Sequence, residues 1–135
     1  MRIKRVFQNI IALFFLAVFL VACQSEEERL RARVEKYWQL RISRELTQAY
    51  EFEYPVFRKK TDLNTYISSR NNPVARYRKA EILSIKFPEK DVAEVEMRFE
   101  IETLFPGTKK PFVTEFKRLE RWVKVNGEWY HVPAQ

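Results

Sequence analysis

The stretch Ala93-Glu94-Val95-Glu96-Met97-Arg98-Phe99-Glu100-Ile101-Glu102 alternates apolar and charged residues without a break. Side chains of an extended strand point to opposite faces with period 2. The pattern therefore predicts a strand that packs Ala93, Val95, Met97, Phe99 and Ile101 on a core and leaves the charged set in water. Upstream, Leu83, Ile85 and Phe87 alternate in the same way, and Pro88-Glu89-Lys90-Asp91 makes the connection. Downstream, Phe105-Pro106-Gly107-Thr108 is a turn. Phe112, Thr114 and Phe116 alternate again, but Leu119, Trp122, Val123 and Val125 fall out of phase. That shift predicts a bulge near Lys117–Glu120. Val125-Asn126-Gly127-Glu128 is a two-residue hairpin signal, because Asn-Gly accepts the positive φ of a type I′ turn. Trp129 to Val132 forms the last short strand, and Pro133 stops it.

Ahead of the strands the period changes to 3.6. Glu26 to about Tyr50 reads as a helix, with Leu30, Val34, Tyr37, Trp38, Ile42, Leu46, Ala49 and Tyr50 spaced by three and four. Ser25 with Glu28 fits a capping box, and Glu26, Glu27 and Glu28 suit the positive end of the helix dipole. Tyr54-Pro55 interrupts or ends this helix. Thr61 to Ile67 predicts a short second helix, and Asn71-Asn72-Pro73 a turn. The apolar helix face and the apolar sheet face need each other. The expected fold is α+β: a long N-terminal helix packed on a curved, four-stranded antiparallel sheet.

The chain opens differently. Arg2, Lys4 and Arg5 precede an apolar run from Ile10 to Ala22, which has signal-peptide length and is short for a bilayer span. The run ends in Leu20-Val21-Ala22-Cys23 and turns polar at Gln24-Ser25-Glu26. This tetrapeptide resembles the lipobox of bacterial lipoproteins. The resemblance implies cleavage before Cys23, lipidation of its sulfur with palmitate-type acyl groups, and acylation of the new amino terminus. The expected organisation is a signal peptide over 1–22, a lipidated end and short tether over 23–25, and one domain over 26–135. Gln24 after the Cys implies sorting to the outer membrane if the source is Gram-negative.

Residues 1–22 hold three of the 25 basic residues and none of the 18 acidic ones, so the remainder carries a net +4 rather than +7. A modest positive balance suits a protein near anionic headgroups. Nucleic acid is not an expected partner of an exported chain. Cys23 is the single Cys, so neither an internal disulfide nor a thiolate metal site is available. Two glycines leave no material for a phosphate-cradling loop, and no Ser-centred nucleophile elbow occurs.

The element order, ending in Trp122-Val123-Lys124-Val125-Asn126-Gly127-Glu128-Trp129-Tyr130, resembles the cystatin-like roll of the NTF2-like superfamily. That resemblance implies a cone-shaped pocket between helix and sheet. Members that catalyse reactions there often use an Asp–His or Tyr–Asp pair. No such motif aligns here, so no catalytic residue, cofactor or metal is expected.

Four residues are candidates for a ligand pocket: Tyr37, Trp38, Arg41 and Glu45. Arg41 and Glu45, four apart, share a helix face. A straight continuation of the Leu30–Trp38 stripe points both into the helix–sheet space. A stripe drifting toward Ile42, Leu46 and Ala49 leaves them as a flanking surface ion pair, the placement we favour. His131, the one His, reads as a structural or surface residue. Glu94, Glu96, Glu100 and Glu102 look like paired catalytic carboxylates, but their period places them on one solvated face, open to cross-strand pairing with Arg76, Arg78, Lys117 and Arg121. The basic groups Arg58-Lys59-Lys60, Arg76-Arg78-Lys79 and Lys109-Lys110 read as solubilising charge. The chain thus reads as a non-enzymatic envelope lipoprotein, a binding or assembly module held to membrane lipid through Cys23 and open to an envelope protein partner. A small-molecule or lipid binder using the pocket is the alternative, followed by a hydrolase or isomerase.

Overall fold

The computed structural model describes residues 24–134; the expected signal segment and Cys23, the expected lipidation site, lie outside them. Among the described residues four helices precede four strands: α1 Glu26–Ile42, α2 Leu46–Tyr50, α3 Pro55–Lys60, α4 Leu63–Arg70, β1 Ala75–Glu89, β2 Val92–Thr103, β3 Phe112–Val125 and β4 Glu128–Val132. The strands form one open antiparallel meander in the order β1-β2-β3-β4. The expected α+β class, a helix on a four-stranded antiparallel sheet, is what the chain adopts. None of the described helices is long and apolar enough to cross a membrane.

α1 starts where the sequence places it. The Ser25 hydroxyl accepts from the Glu28 N–H, and three glutamates occupy the first turn. Its end differs from the expectation. The helix stops at Ile42 rather than running to Tyr50, and Arg44 takes a left-handed φ of 61°. The Glu45 N–H reaches back to the Leu40 carbonyl at 2.9 Å, and the Arg44 N–H to that of Arg41 at 3.4 Å. This is a Schellman ending with Arg where Gly usually stands. One further helix, α3, follows where loop was expected, with Pro55 at its first turn; α4, capped by Asp62 through the Thr65 N–H, falls where Thr61–Ile67 predicted a short second helix.

Leu30, Val34, Tyr37, Trp38 and Leu40 of α1 are buried against Ala93, Val95, Met97 and Phe99 of β2, with Trp122 and Trp129 closing the core. Each fully buried large apolar side chain contributes about 1.5–3 kcal/mol. β2 and β3 pair from Val92↔Val123 to Thr103↔Phe112 without a slip, so the bulge expected near Lys117–Glu120 is absent. The irregularities sit in β1, at Tyr77/Lys79, Ile82/Ser84 and Lys86/Glu89. They let Ile82 and Ile85 both pack on the core. The broken phase of β3 has another cause. Arg118 and Glu120 share the inward face with Phe116 and Trp122, while Leu119 points outward and is 61% exposed.

On the outer face Glu102 accepts from Arg76 at 2.8 Å and lies 3.4 Å from Arg78, and Arg98 meets Glu81 at 3.4 Å. The glutamates are thus a charged, partly solvated face. The β3–β4 turn has Asn126 at φ 51° and Gly127 at φ 82°, as a type I′ turn requires. A side chain at Gly127 would meet no atom, so its cost is conformational alone. Gly127→Val is expected to lower stability by about 1–2 kcal/mol, read as a lower urea midpoint with an unchanged m-value.

Candidate functional site

The break after Ile42 sets the site. It leaves Arg41 in the last turn of α1, where the helix dipole favours a cation, and frees the chain to turn through α2, α3 and α4, with α4 packed on α2. The segment after α2 then crosses β4. The Tyr54 N–H donates to the His131 carbonyl and the His131 N–H to the Phe52 carbonyl, both at 2.8 Å. This brief pairing carries Glu53 into the interior, where it is fully buried.

A hydrogen-bonded chain results. Arg41 Nη1 donates to Tyr37 Oη at 2.7 Å, and Tyr37 Oη donates to Glu53 Oε1 at 2.7 Å. The other Glu53 oxygen lies 2.8 Å from His131 Nδ1. Burial alone would raise the Glu53 carboxyl, but the hydrogen bond and charge of His131, together with Tyr37, hold it below its ordinary value of 4.5. The carboxylate is therefore ionised and His131 Nδ1 is the donor. Burial drives the Tyr37 hydroxyl well above the ordinary tyrosine range, so it stays a neutral donor. Tyr66, also fully buried, is pushed up to about 12 by burial and then by the Glu53 charge. Its hydroxyl is close enough to feel that charge, yet no described atom lies in hydrogen-bond geometry with it.

A second carboxylate sits beside the first. Glu120 accepts from Trp38 Nε1 at 3.0 Å and from Arg118 at 2.7 Å, and its Oε1 is 3.8 Å from His131 Nε2. Above these groups lies a cleft in two connected lobes of about 470 Å³ and about 260 Å³, both bordered by Arg41, Ser69, Arg70 and Tyr77. The lobes are lined by six arginines in all, and Glu120 is the single carboxylate among the described lining residues. Arg118 is neutralised by Glu120 and Arg76 by Glu102. Arg41 instead lies over the rings of Trp38, Tyr37 and Tyr77 at 5.2–5.9 Å, and Arg70 over Tyr66 at 4.2 Å. Aromatic faces attract a guanidinium without cancelling its charge.

Of the residues singled out in the sequence, Arg41 is in the cleft. Tyr37 and Trp38 are buried beneath Arg41 and line neither lobe. Glu45 is outside it: the Schellman turn rotates this residue into solvent, where it accepts from Ser43 and Gln48. The Arg41–Glu45 pair, in either expected form, does not exist. His131 is structural in the expected sense, and it also borders the cleft. Glu53, Tyr66, Arg70, Tyr77, Arg118 and Glu120 escaped the sequence reading. For two of them a signal was present, since Arg118 and Glu120 share parity with Phe116 and Trp122. No group of three or more His, Cys, Asp or Glu suited to a metal occurs among the described residues.

No protein-family model and no curated protein sequence matches the chain. Its fold is similar to a SEC-C motif containing protein from Rhodopseudomonas palustris (TM-score 0.58, 14% identity, 82% of this chain and 77% of that one). It is similar to another from Psychrobacter arcticus (0.59, 13%, 84% and 64%). A third likeness is to the CamKII hub homology domain of Chlamydomonas reinhardtii (0.52, 16%, 80% and 94%). At these identities the likeness is one of fold.

Because the native Glu53 pKa is depressed, its stabilising contribution is complete above pH 4.5 and is lost as pH falls through the lower native value. Glu53→Gln is expected to cost about 3–5 kcal/mol at neutral pH by breaking a buried pair. It should also flatten the acid limb of stability, read from urea midpoints between about pH 3 and pH 7.

Proposed function

We propose that this chain is a lipid-anchored envelope protein whose domain is a non-catalytic binding module, with the arginine-lined cleft as the binding site for an anionic ligand. The observation that carries the reading is Arg41. Its guanidinium is permanently charged, half-buried and shared by both lobes, and its single hydrogen bond among the described residues goes to the neutral Tyr37 hydroxyl. Burial opposes its charge, while the Tyr37 hydroxyl and the nearby Glu53 charge favour it; no carboxylate touches it directly, so an anion entering the cleft would add the direct charged partner it lacks. The ring of Tyr77, which lines both lobes, suits an apolar body next to the charged group.

The lipobox supplies the location. α1 begins at Glu26, directly after the tether, so a lipid on Cys23 holds the domain close to the headgroups. Gln24 favours the outer membrane in a Gram-negative source. The helix–sheet pocket agrees with the NTF2-like resemblance, which remains part of this proposal. An acid–base enzyme is the weaker reading. His131 is oriented by Glu53, but its Nε2 faces Glu120, so the ring is held between two carboxylates.

The test is a titration of the chain with inorganic phosphate and with hexyl phosphate, followed by NMR. Both should perturb Arg41 and Tyr77, and hexyl phosphate should bind more tightly. Arg41→Gln is expected to weaken both by about tenfold, the loss of one charge-assisted hydrogen bond. An unchanged affinity would remove the cleft as the site. In cells, Cys23→Ser should move the protein from the membrane to the soluble fraction; retention on the membrane would refute the lipid anchor.

A further inference from the structure

β3 has an open edge. β4 covers it from Arg121 to Val125, and Phe112–Glu120 meets no described strand on that side. The Lys124 N–H donates to the Asp91 carbonyl, on the β2 side. In an antiparallel ladder the direction alternates, so even-numbered residues of β3 turn their peptide groups to β2 and odd-numbered ones turn theirs away. Val113, Glu115, Lys117 and Leu119 therefore present unpaired N–H and C=O groups to the edge. Proteins usually blunt such an edge. The opposite edge, β1, is blunted by three register shifts and Pro88. β3 is regular throughout.

The outer-face side chains of this edge are mismatched within the protomer. Glu115 lies opposite Glu100, Lys117 opposite Arg98, Val113 opposite Glu102 and Leu119 opposite Glu96. Val113 and Leu119 are 50% and 61% exposed. Like charges directly opposite are destabilising. We infer that the β3 edge pairs with the β3 edge of a second copy of this chain, antiparallel, about a two-fold axis at Phe116. That register sets Glu115 against the partner's Lys117 and Val113 against the partner's Leu119, and each pair recurs by symmetry. The paired residues are the odd-numbered ones, whose peptide groups face outward, so the hydrogen-bond parity agrees. A shift of two residues either way centres the axis on Glu115 or on Lys117 and opposes like charges. A shift of one puts the outer face of one protomer against the inner face of the other. The charges thus select one register. The case for this pairing rests on the strand edge and not on what the cleft binds, although Leu119 also borders the larger lobe.

The experiment is native mass spectrometry of the full-length chain, extracted from its membrane in detergent. The wild type should be dimeric. Lys117→Glu and Glu115→Lys should each weaken the dimer by at least about tenfold, since both symmetric pairs become repulsive. An equal mixture of the two variants should restore a heterodimer, and E115K/K117E in one chain should restore the homodimer. Glu115→Pro removes an outward N–H and should also dissociate the dimer, whereas Glu115→Thr should not give the same loss. A monomeric wild type would overturn the proposal. So would a dimer indifferent to both charge reversals and to proline, or rescue by neither combination. Because all these positions lie outside the cleft lining, phosphate binding should persist in every variant, which separates failure here from failure of the cleft.

Discussion

A single buried carboxylate organises the interior. Glu53 is fully buried, and its charge is stable only because Tyr37 from α1 and His131 from β4 both donate to it. These donors come from elements far apart in the chain. The carboxylate therefore fixes where α1 lies along the sheet and where the segment after α2 crosses β4. The apolar contacts of Leu30, Val34 and Phe99 tolerate small slides of a helix over a sheet. Two hydrogen bonds of 2.7 and 2.8 Å to one rigid group do not.

The same network explains why the cleft stays cationic. Glu53 has its oxygens occupied by Tyr37 and His131, and Glu120 has its oxygens occupied by Trp38 and Arg118. Neither is free to turn and neutralise Arg41. The buried acids thus hold the architecture together, while the guanidiniums of Arg41 and Arg70 are left over at the surface of the network. Each gives one hydrogen bond to a neutral hydroxyl, Arg41 to Tyr37 and Arg70 to Ser69, and otherwise rests on π faces, which orient a guanidinium and shield its stem but leave its other donors available.

Where local pattern dictates structure, the sequence was legible. Strict alternation over Ala93–Ile101 identified β2 and its buried face, Asn126-Gly127 identified the hairpin, and Ser25 marked the start of α1. The failures are local patterns overruled by long-range chemistry. α1 ends on Arg44 in a conformation normally signalled by Gly, so the stop was invisible. Its side chain is held by Asn71 and by the Asn72 carbonyl, 27 and 28 residues on. Arg118 and Glu120 look like a slip in the strand because inward positions are expected to be apolar; they are inward because each satisfies the other. Glu53 lies in an irregular link with no periodicity, and its His131 partner is 78 residues away.

These two features meet in one geometry. A two-fold axis normal to the sheet at Phe116 leaves both α1 helices on the same face of the joined sheet. Arg118 is two residues from that axis on the same face, so the clefts of the two protomers lie side by side across it. The Glu26 end of each α1 sits by its own β3–β4 turn, where Arg29 donates to the Gly127 carbonyl at 2.9 Å. The two tethers thus leave from opposite ends of the pair, on the face that carries the clefts. With the proposed lipid on each Cys23, the proposed pair would be held to one membrane surface at two points. Attachment at two points makes the second insertion intramolecular, so it adds retention without any new contact.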